Sequence, residues 1–233
     1  MTTPDIRAEK CAAALAAVAL VEDGMRVGLG TGTTVAEMVP ALGRRRLAIT
    51  CVATSPATEE LARVHGLEVR PFTDIERLDI AIDGADQVDR AGWLVKGGGG
   101  AQTRERIVAA AADRFVVIVS SDKPVERVHA PVPLELLAFG LAATLHALPG
   151  VVLRDAPRTP DGGVLADFLG EVGDPARLSE RFDAVPGLVS HGLFPPSMVG
   201  TVFVARGDEV EARQISRARI RTAPPGARWL RRR

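Results

Sequence analysis

From residue 25 to residue 119 short apolar runs alternate with stretches of helical periodicity, and no other property of this 233-residue chain narrows its fold as far. Runs at 25–29, 48–53, 68–71, 78–82, 93–95 and 115–119 read as strands, with helices expected at about 10–21, 34–42, 57–65 and 103–113. Such alternation is the signature of a Rossmann-like parallel sheet covered by helices. Beyond residue 124 the order changes to strand 131–136, helix 139–148, strands 151–155 and 163–168, helix 174–184 and strand 188–193. That β-α-β-β-α-β order is ferredoxin-like. A last strand at 199–205 returns the chain toward the first sheet. The expected fold is therefore α/β: a Rossmann-like domain over 1–129 plus about 200–215, a smaller ferredoxin-like α+β domain over 130–199, and a basic tail at 216–233.

An apolar fraction of 46% and a charged fraction of 25% describe a soluble globular protein. The 29 basic and 29 acidic side chains cancel, but unevenly: residues 216–233 hold seven arginines and no acid, leaving 22 basic against 29 acidic groups before them. No basic face interleaved with aromatics accompanies this tail, so it reads as solvated and not as a nucleic-acid contact. Cys11, Cys51 and the scattered His65, His129, His146 and His191 have neither metal-ligand spacing nor a disulfide framework. No metal and no cofactor are expected. The apolar run 11–21 is too short to span a bilayer, and Asp5 and Glu9 spoil the basic leader of a secretory signal. It fits a packed helix, with no membrane partner and a cytoplasmic location expected.

In open α/β sheets ligands bind beyond the carboxyl ends of the strands, and several motifs fall there. Gly28-Leu29-Gly30-Thr31-Gly32-Thr33-Thr34 joins a strand to a helix, where free N–H groups and the helix dipole favour an anion. It lacks the Gly-Lys-Ser/Thr ending of a nucleotide P-loop, and the next strand ends in Ala53-Thr54-Ser55 instead of an acid for ribose. A small phosphorylated molecule suits it, although a bare strand–helix turn would read the same way. The strand at 78–82 ends in Asp83-Gly84-Ala85-Asp86. These two carboxylates could bind hydroxyls or move protons, and a metal is the weakest option because the calcium-loop spacing is absent.

Lys96 then opens Gly97-Gly98-Gly99-Gly100. Each glycine costs roughly 0.5–1 kcal/mol against alanine in ordered structure, so a folded chain keeps such a run where backbone must approach a ligand. Glu105 falls in the first turn of the next helix, whose dipole favours the ionised carboxylate that a general base needs; helix stabilisation alone would also account for it. The chain has 26 arginines and only three lysines, Lys10, Lys96 and Lys123. That bias suggests sites where a planar five-donor fork cannot replace a compact ammonium.

The block from Asp83-Gly84-Ala85-Asp86 through Lys96 and its glycines to Thr103-Arg104-Glu105 resembles ribose-5-phosphate isomerases of the A type, with Gly30 to Thr34 as the phosphate-side loop. Weaker similarity continues through Pro131 to Glu135 and Val185 to Val189 to Gly192-Leu193-Phe194, covering about residues 5–210. The resemblance implies interconversion of ribose 5-phosphate and ribulose 5-phosphate, in the non-oxidative pentose phosphate pathway, with no redox cofactor. It implies Glu105 as the base with Asp83 and Lys96 as catalytic partners. Lys10, Thr31, Gly32, Thr33, Thr34, Asp83, Gly84, Ala85, Asp86, Lys96, Gly97, Gly98, Gly99 and Lys123 would bind the phosphosugar. It also favours a homodimer or a dimer of dimers.

Gln87, Gln102 and Ser120-Ser121 depart from the family pattern beside the expected chemistry. Two other readings compete. A sugar-phosphate sensor would need neither Glu105 nor Lys96 and would bring a DNA-binding module, for which residues before Lys10 leave no room. An amino-sugar-phosphate deaminase or phosphosugar lactonase would use a histidine, and none falls in these motifs.

Overall fold

The computed structural model describes residues 5–73 and 75–215; the basic tail expected at 216–233 lies outside them. The chain runs α1 (Ile6–Val18), β1 (Arg26–Leu29), α2 (Thr33–Arg44), β2 (Thr50–Ala53), α3 (Pro56–Val64) and β3 (Glu68–Val69). It continues through β4 (Ile80–Asp83), β5 (Gln87–Val88), β6 (Leu94–Val95), α4 (Gln102–Ala110) and β7 (Phe115–Val119). Next come β8 (Val132–Leu136), α5 (Leu141–Ala147), β9 (Val151–Leu153), β10 (Val164–Phe168), α6 (Pro175–Asp183) and β11 (Leu188–His191). The short β12 (Leu193–Phe194) and the hairpin β13 (Thr201–Arg206) and β14 (Glu209–Gln214) complete it.

The main sheet has the order β14-β13-β7-β4-β1-β2-β3. All its pairs are parallel except the β13–β14 hairpin. Every residue of β4 and β7 is buried, which is why these strands read as continuous apolar runs and not as an alternation. Ile80, Ile82, Val116 and Ile118 pack with α1 and α2, while Ala81, Val117 and Val119 pack with α4 on the opposite face. From β1 the chain moves outward to β2 and β3, then crosses back to place β4 on the other side of β1. The two connections diverge there, leaving a crevice at the carboxyl ends of β1 and β4.

The four-stranded sheet, β11-β8-β10-β9, is antiparallel throughout and has the ferredoxin-like order expected. Leu134, Leu136 and Phe168 pack with Leu178 and Phe182 of α6. On the other face, Pro133 and Leu165 lie against Gly97 and Gly100, so this sheet backs the glycine run.

Four expectations need correction. The strand at 93–95 is not in the parallel sheet: β6 lies between β5 and β12 in a small antiparallel sheet. The strand expected over 188–193 breaks at Gly192, where any β-carbon would stand 2.2 Å from the Lys96 carbonyl oxygen, and its halves join different sheets. β5 and β14 were not anticipated, the first for its two-residue length and the second because it is a polar edge strand. The first helix starts at Ile6, capped by the Asp5 carboxylate, which accepts from the Arg7 and Ala8 N–H groups at 3.1 Å each. Among the described residues no helix is long and apolar enough to cross a membrane.

Candidate active site

β1 and β4 end side by side, and their ends are stitched together. The Gly30 N–H donates to the Ile82 carbonyl at 3.0 Å, and the Thr31 N–H donates to Asp83 Oδ1 at 3.1 Å. Only glycine fits at position 30, because a β-carbon would lie 2.0 Å from the Asp83 carboxylate. α2 then begins at Thr33 with Gly32 as its N-cap and no side-chain cap. The first N–H groups of α2 are therefore unspent and face the crevice, with the positive end of the helix dipole behind them.

Lys96 is 2% exposed and sits between two carboxylates. Its Nζ lies 3.0 Å from Asp83 Oδ2 and 3.3 Å from Glu105 Oε2, and it donates to the Gly84 carbonyl at 2.5 Å. Glu105 reaches this position because the buried stripe of α4 is Gln102, Glu105, Val108 and Ala109, a helical spacing that turns residue 105 inward. Asp83 Oδ1 is already satisfied by the N–H groups of Thr31 and Gly84, the latter at 2.7 Å. Glu105 Oε2, by contrast, is buried and makes no well-directed hydrogen bond among the described residues; its link to Lys96 is the 3.3 Å ion pair. The Glu105 side chain is thus buried, ion-paired and part of the cleft wall.

Burial pushes Glu105 up to about 8, reinforced by the Asp83 charge and opposed by Lys96. Asp83 is raised as well, its desolvation outweighing the attraction of Lys96. Burial works against the Lys96 ammonium, yet Asp83 and Glu105 outweigh it and raise that group too. The ionised Glu105 expected from the helix dipole is thus corrected. A dipole contributes about 0.3–1 kcal/mol, whereas desolvating an ion costs several kcal/mol.

The glycine run folds into a tight turn closed by Gly100 N–H to Gly97 O at 2.9 Å. The Gly98 N–H donates to Asp86 Oδ2 at 2.8 Å, an approach that a side chain at 98 would block. One cleft of about 130 Å³ is lined by Lys10, Thr31, Gly32, Thr33, Thr34, Gly84, Ala85, Asp86, Lys96, Gly97, Gly98, Gly99, Glu105 and Lys123. Of the residues expected at the site only Asp83 is not on this wall; it stands behind, holding Lys96.

Sequence reasoning missed several supports. Glu9, 1% exposed, accepts from the Ser121 N–H at 2.8 Å and the Gly207 N–H at 2.9 Å, tying α1 to the loop that carries Lys123. Gly192 accepts from the Lys96 N–H at 2.9 Å and donates to Pro133 O at 2.7 Å, fixing the Lys96 backbone. The Phe194 ring centre lies 5.8 Å from Lys96 Nζ and 4.4 Å from the Arg106 guanidinium. Only the Gly192-Leu193-Phe194 similarity hinted at these last contacts. Gln87 is turned away from the cleft, exchanging hydrogen bonds with the backbone of His129 at 2.9 and 3.0 Å. His191 is buried beside Phe182 and Arg106, outside the cleft. Among the described residues no group of three or more His, Cys, Asp and Glu side chains is gathered for a metal.

The model of the family Ribose 5-phosphate isomerase A (phosphoriboisomerase A) matches residues 50–209. The ribose-5-phosphate isomerase A of Methylorubrum extorquens is 44% identical over 214 residues, covering 83% of this chain and 89% of its own. The ribose 5-phosphate isomerase A structure from Neisseria gonorrhoeae superposes with a TM-score of 0.87 at 28% identity, covering 93% of this chain and all of that one. A D-ribose-5-phosphate isomerase in complex with phospho-erythronic acid gives 0.85 at 29% identity, over 90% and 99% of the two chains. Sequence and fold agree, and the chain belongs to the ribose 5-phosphate isomerase A family.

Proposed function

We propose that this protein interconverts D-ribose 5-phosphate and D-ribulose 5-phosphate, an aldose–ketose isomerisation, through an enediolate. The observation that carries the reading is Glu105: a buried carboxylate on the cleft wall, beside an ammonium and the glycine run. Glu105 takes the C2 proton of the open-chain aldose. The C–H electron pair becomes the C1–C2 double bond, and the carbonyl pair moves onto O1. After a proton passes between O2 and O1, Glu105 returns its own proton to C1 and the ketose is complete.

Charge that develops on O1 and O2 is offset by Lys96 and by glycine N–H groups, an oxyanion-type role. Asp83 positions Lys96, and Asp86 holds substrate hydroxyls and assists ring opening. The phosphate sits on the unspent N–H groups at the start of α2 and on the hydroxyls of Thr33 and Thr34, with Lys10 and Lys123 as counter-charges. Phospho-erythronic acid, bound by a structural relative, suits such a site because its planar carboxylate mimics the two enediolate oxygens. No cofactor takes part. The ferredoxin-like unit at 130–199 acts as a smaller domain behind the glycine run. The enzyme works in the cytoplasm as a homodimer or dimer of dimers, a state that light scattering of the purified protein measures.

A coupled assay tests the reading. Ribose 5-phosphate should give ribulose 5-phosphate without added metal or nucleotide, and glucosamine 6-phosphate should give no product. Binding of ribose 5-phosphate without turnover would replace this function with that of a sensor.

A further inference from the structure

Gly99 lines the cleft, and its N–H has no acceptor among the described residues. A free donor there is useful only if its peptide plane is held still, because glycine backbone is the most freely rotating in the chain. The contact that holds it comes from the other sheet. Arg154, one residue past β9, donates from one nitrogen, Nη1, to the carbonyl oxygens of both Gly97 and Gly98 at 3.1 Å each. Its other two nitrogens form a fork on Asp167 of β10, Nε to Oδ2 at 2.7 Å and Nη2 to Oδ1 at 2.6 Å. The fork is assembled by strand pairing: the Arg154 N–H donates to the Leu165 carbonyl at 3.0 Å, which sets Arg154 and Asp167 on the same face of the sheet.

In a trans peptide the carbonyl and the following N–H point in opposite directions. Fixing Gly97 O toward Arg154 therefore aims the Gly98 N–H the other way, and it meets Asp86 Oδ2 at 2.8 Å. By the same geometry, fixing Gly98 O aims the Gly99 N–H into the cleft. We infer that Arg154 is a positioning residue for the reaction, holding two successive glycine peptides so that one orients Asp86 and the next presents its N–H to the developing enediolate. It touches no substrate atom itself. Lysine is a poor replacement, because a single ammonium cannot satisfy two carbonyls and grip both oxygens of Asp167 in a plane.

The inference rests on the isomerase reading, and the experiment separates the two. If the wild-type protein fails to turn over ribose 5-phosphate, the function is wrong; each variant is judged against wild-type turnover. Arg154→Met should lower kcat about 10- to 100-fold, the scale of a 1 Å misplacement at a reacting centre, with KM changed less than threefold. Its affinity for phospho-erythronic acid should fall in step with kcat/KM. Arg154→Lys should recover less than a tenth of the lost rate, and Asp167→Asn, which loosens the fork, should cost several-fold. Arg158→Met is the control: Arg158 caps the Gly162 carbonyl in the same loop at 3.2 Å without reaching the glycine run, and its kinetics should match wild type. A kcat within twofold of wild type in Arg154→Met would overturn the proposal. So would an equal loss in Arg158→Met, or a rise in KM alone with unchanged binding of phospho-erythronic acid. Should Arg154→Met fail to fold, Arg154→Lys and Asp167→Asn decide by the same criteria.

Discussion

At one end of the cleft Lys10 and Lys123 meet solvent, and Lys123 keeps a third of its side chain exposed while paired with Asp122 at 3.0 Å. At the other end Lys96 is 2% exposed and wedged between two carboxylates that are nearly as buried. The solvent-facing end suits a dianion, because long cations and helix N–H groups could meet a phosphate there without stripping it of water. The buried end uses desolvation, and there charge states shift far enough to move a proton near neutral pH. On the proposed function, binding and chemistry fall in regions of opposite dielectric character, and substitutions at the two ends should fail in different ways.

The largest effect is expected from Glu105→Gln, which keeps the shape but cannot accept the proton. Steady-state kinetics should show kcat down about 10³-fold with KM little changed. Undiminished turnover would remove Glu105 as the base. Next, Lys96→Arg keeps the charge but forces a larger planar group into a filled pocket beside Phe194, and should lower kcat about 10²-fold. A near-normal rate there would show that the buried end needs only a positive charge.

The pH profile tests the buried end without any substitution. The base must be ionised to act, and Glu105 is pushed up to about 8. kcat/KM, which reports groups of the free enzyme, should therefore rise with pH and level off above about 8, falling roughly tenfold per unit below it. A plateau continuing below pH 6 would contradict the buried-base assignment. The smallest effect belongs to the open end: Lys123→Ala should raise KM about tenfold, the loss of one charge-assisted contact, and leave kcat within twofold. Added salt should raise the wild-type KM far more than it changes kcat. A fall in kcat instead would merge the two regions into one.

Much of the site was legible because its parts are local. A strand end followed by Gly30 to Thr34, the pair Asp83 and Asp86, and Lys96 before four glycines each declare a turn or a helix start within a few residues. The strand–helix alternation then implied one edge on which they would meet. β6 and Gly192 show where that reasoning stops. Leu94-Val95 looks like any short buried strand, and its removal from the parallel sheet depends on pairing with β12, about a hundred residues later in the chain. Gln87 stands beside the motif but turns to His129, which no spacing rule announces.

The amino-acid sequence by itself determined the parallel sheet, the ferredoxin-like order and nearly every residue on the cleft wall, since hydrophobic period and turn chemistry act over short stretches of chain. Only the tertiary structure decided that Glu105 is held near a pKa of 8 instead of ionised by its helix, and that Glu9, Gly192 and Arg154 support the site. A charge state depends on how much water the surrounding elements exclude, and a peptide plane on what grips its carbonyl. In this protein those neighbours are brought together from positions tens to hundreds of residues apart.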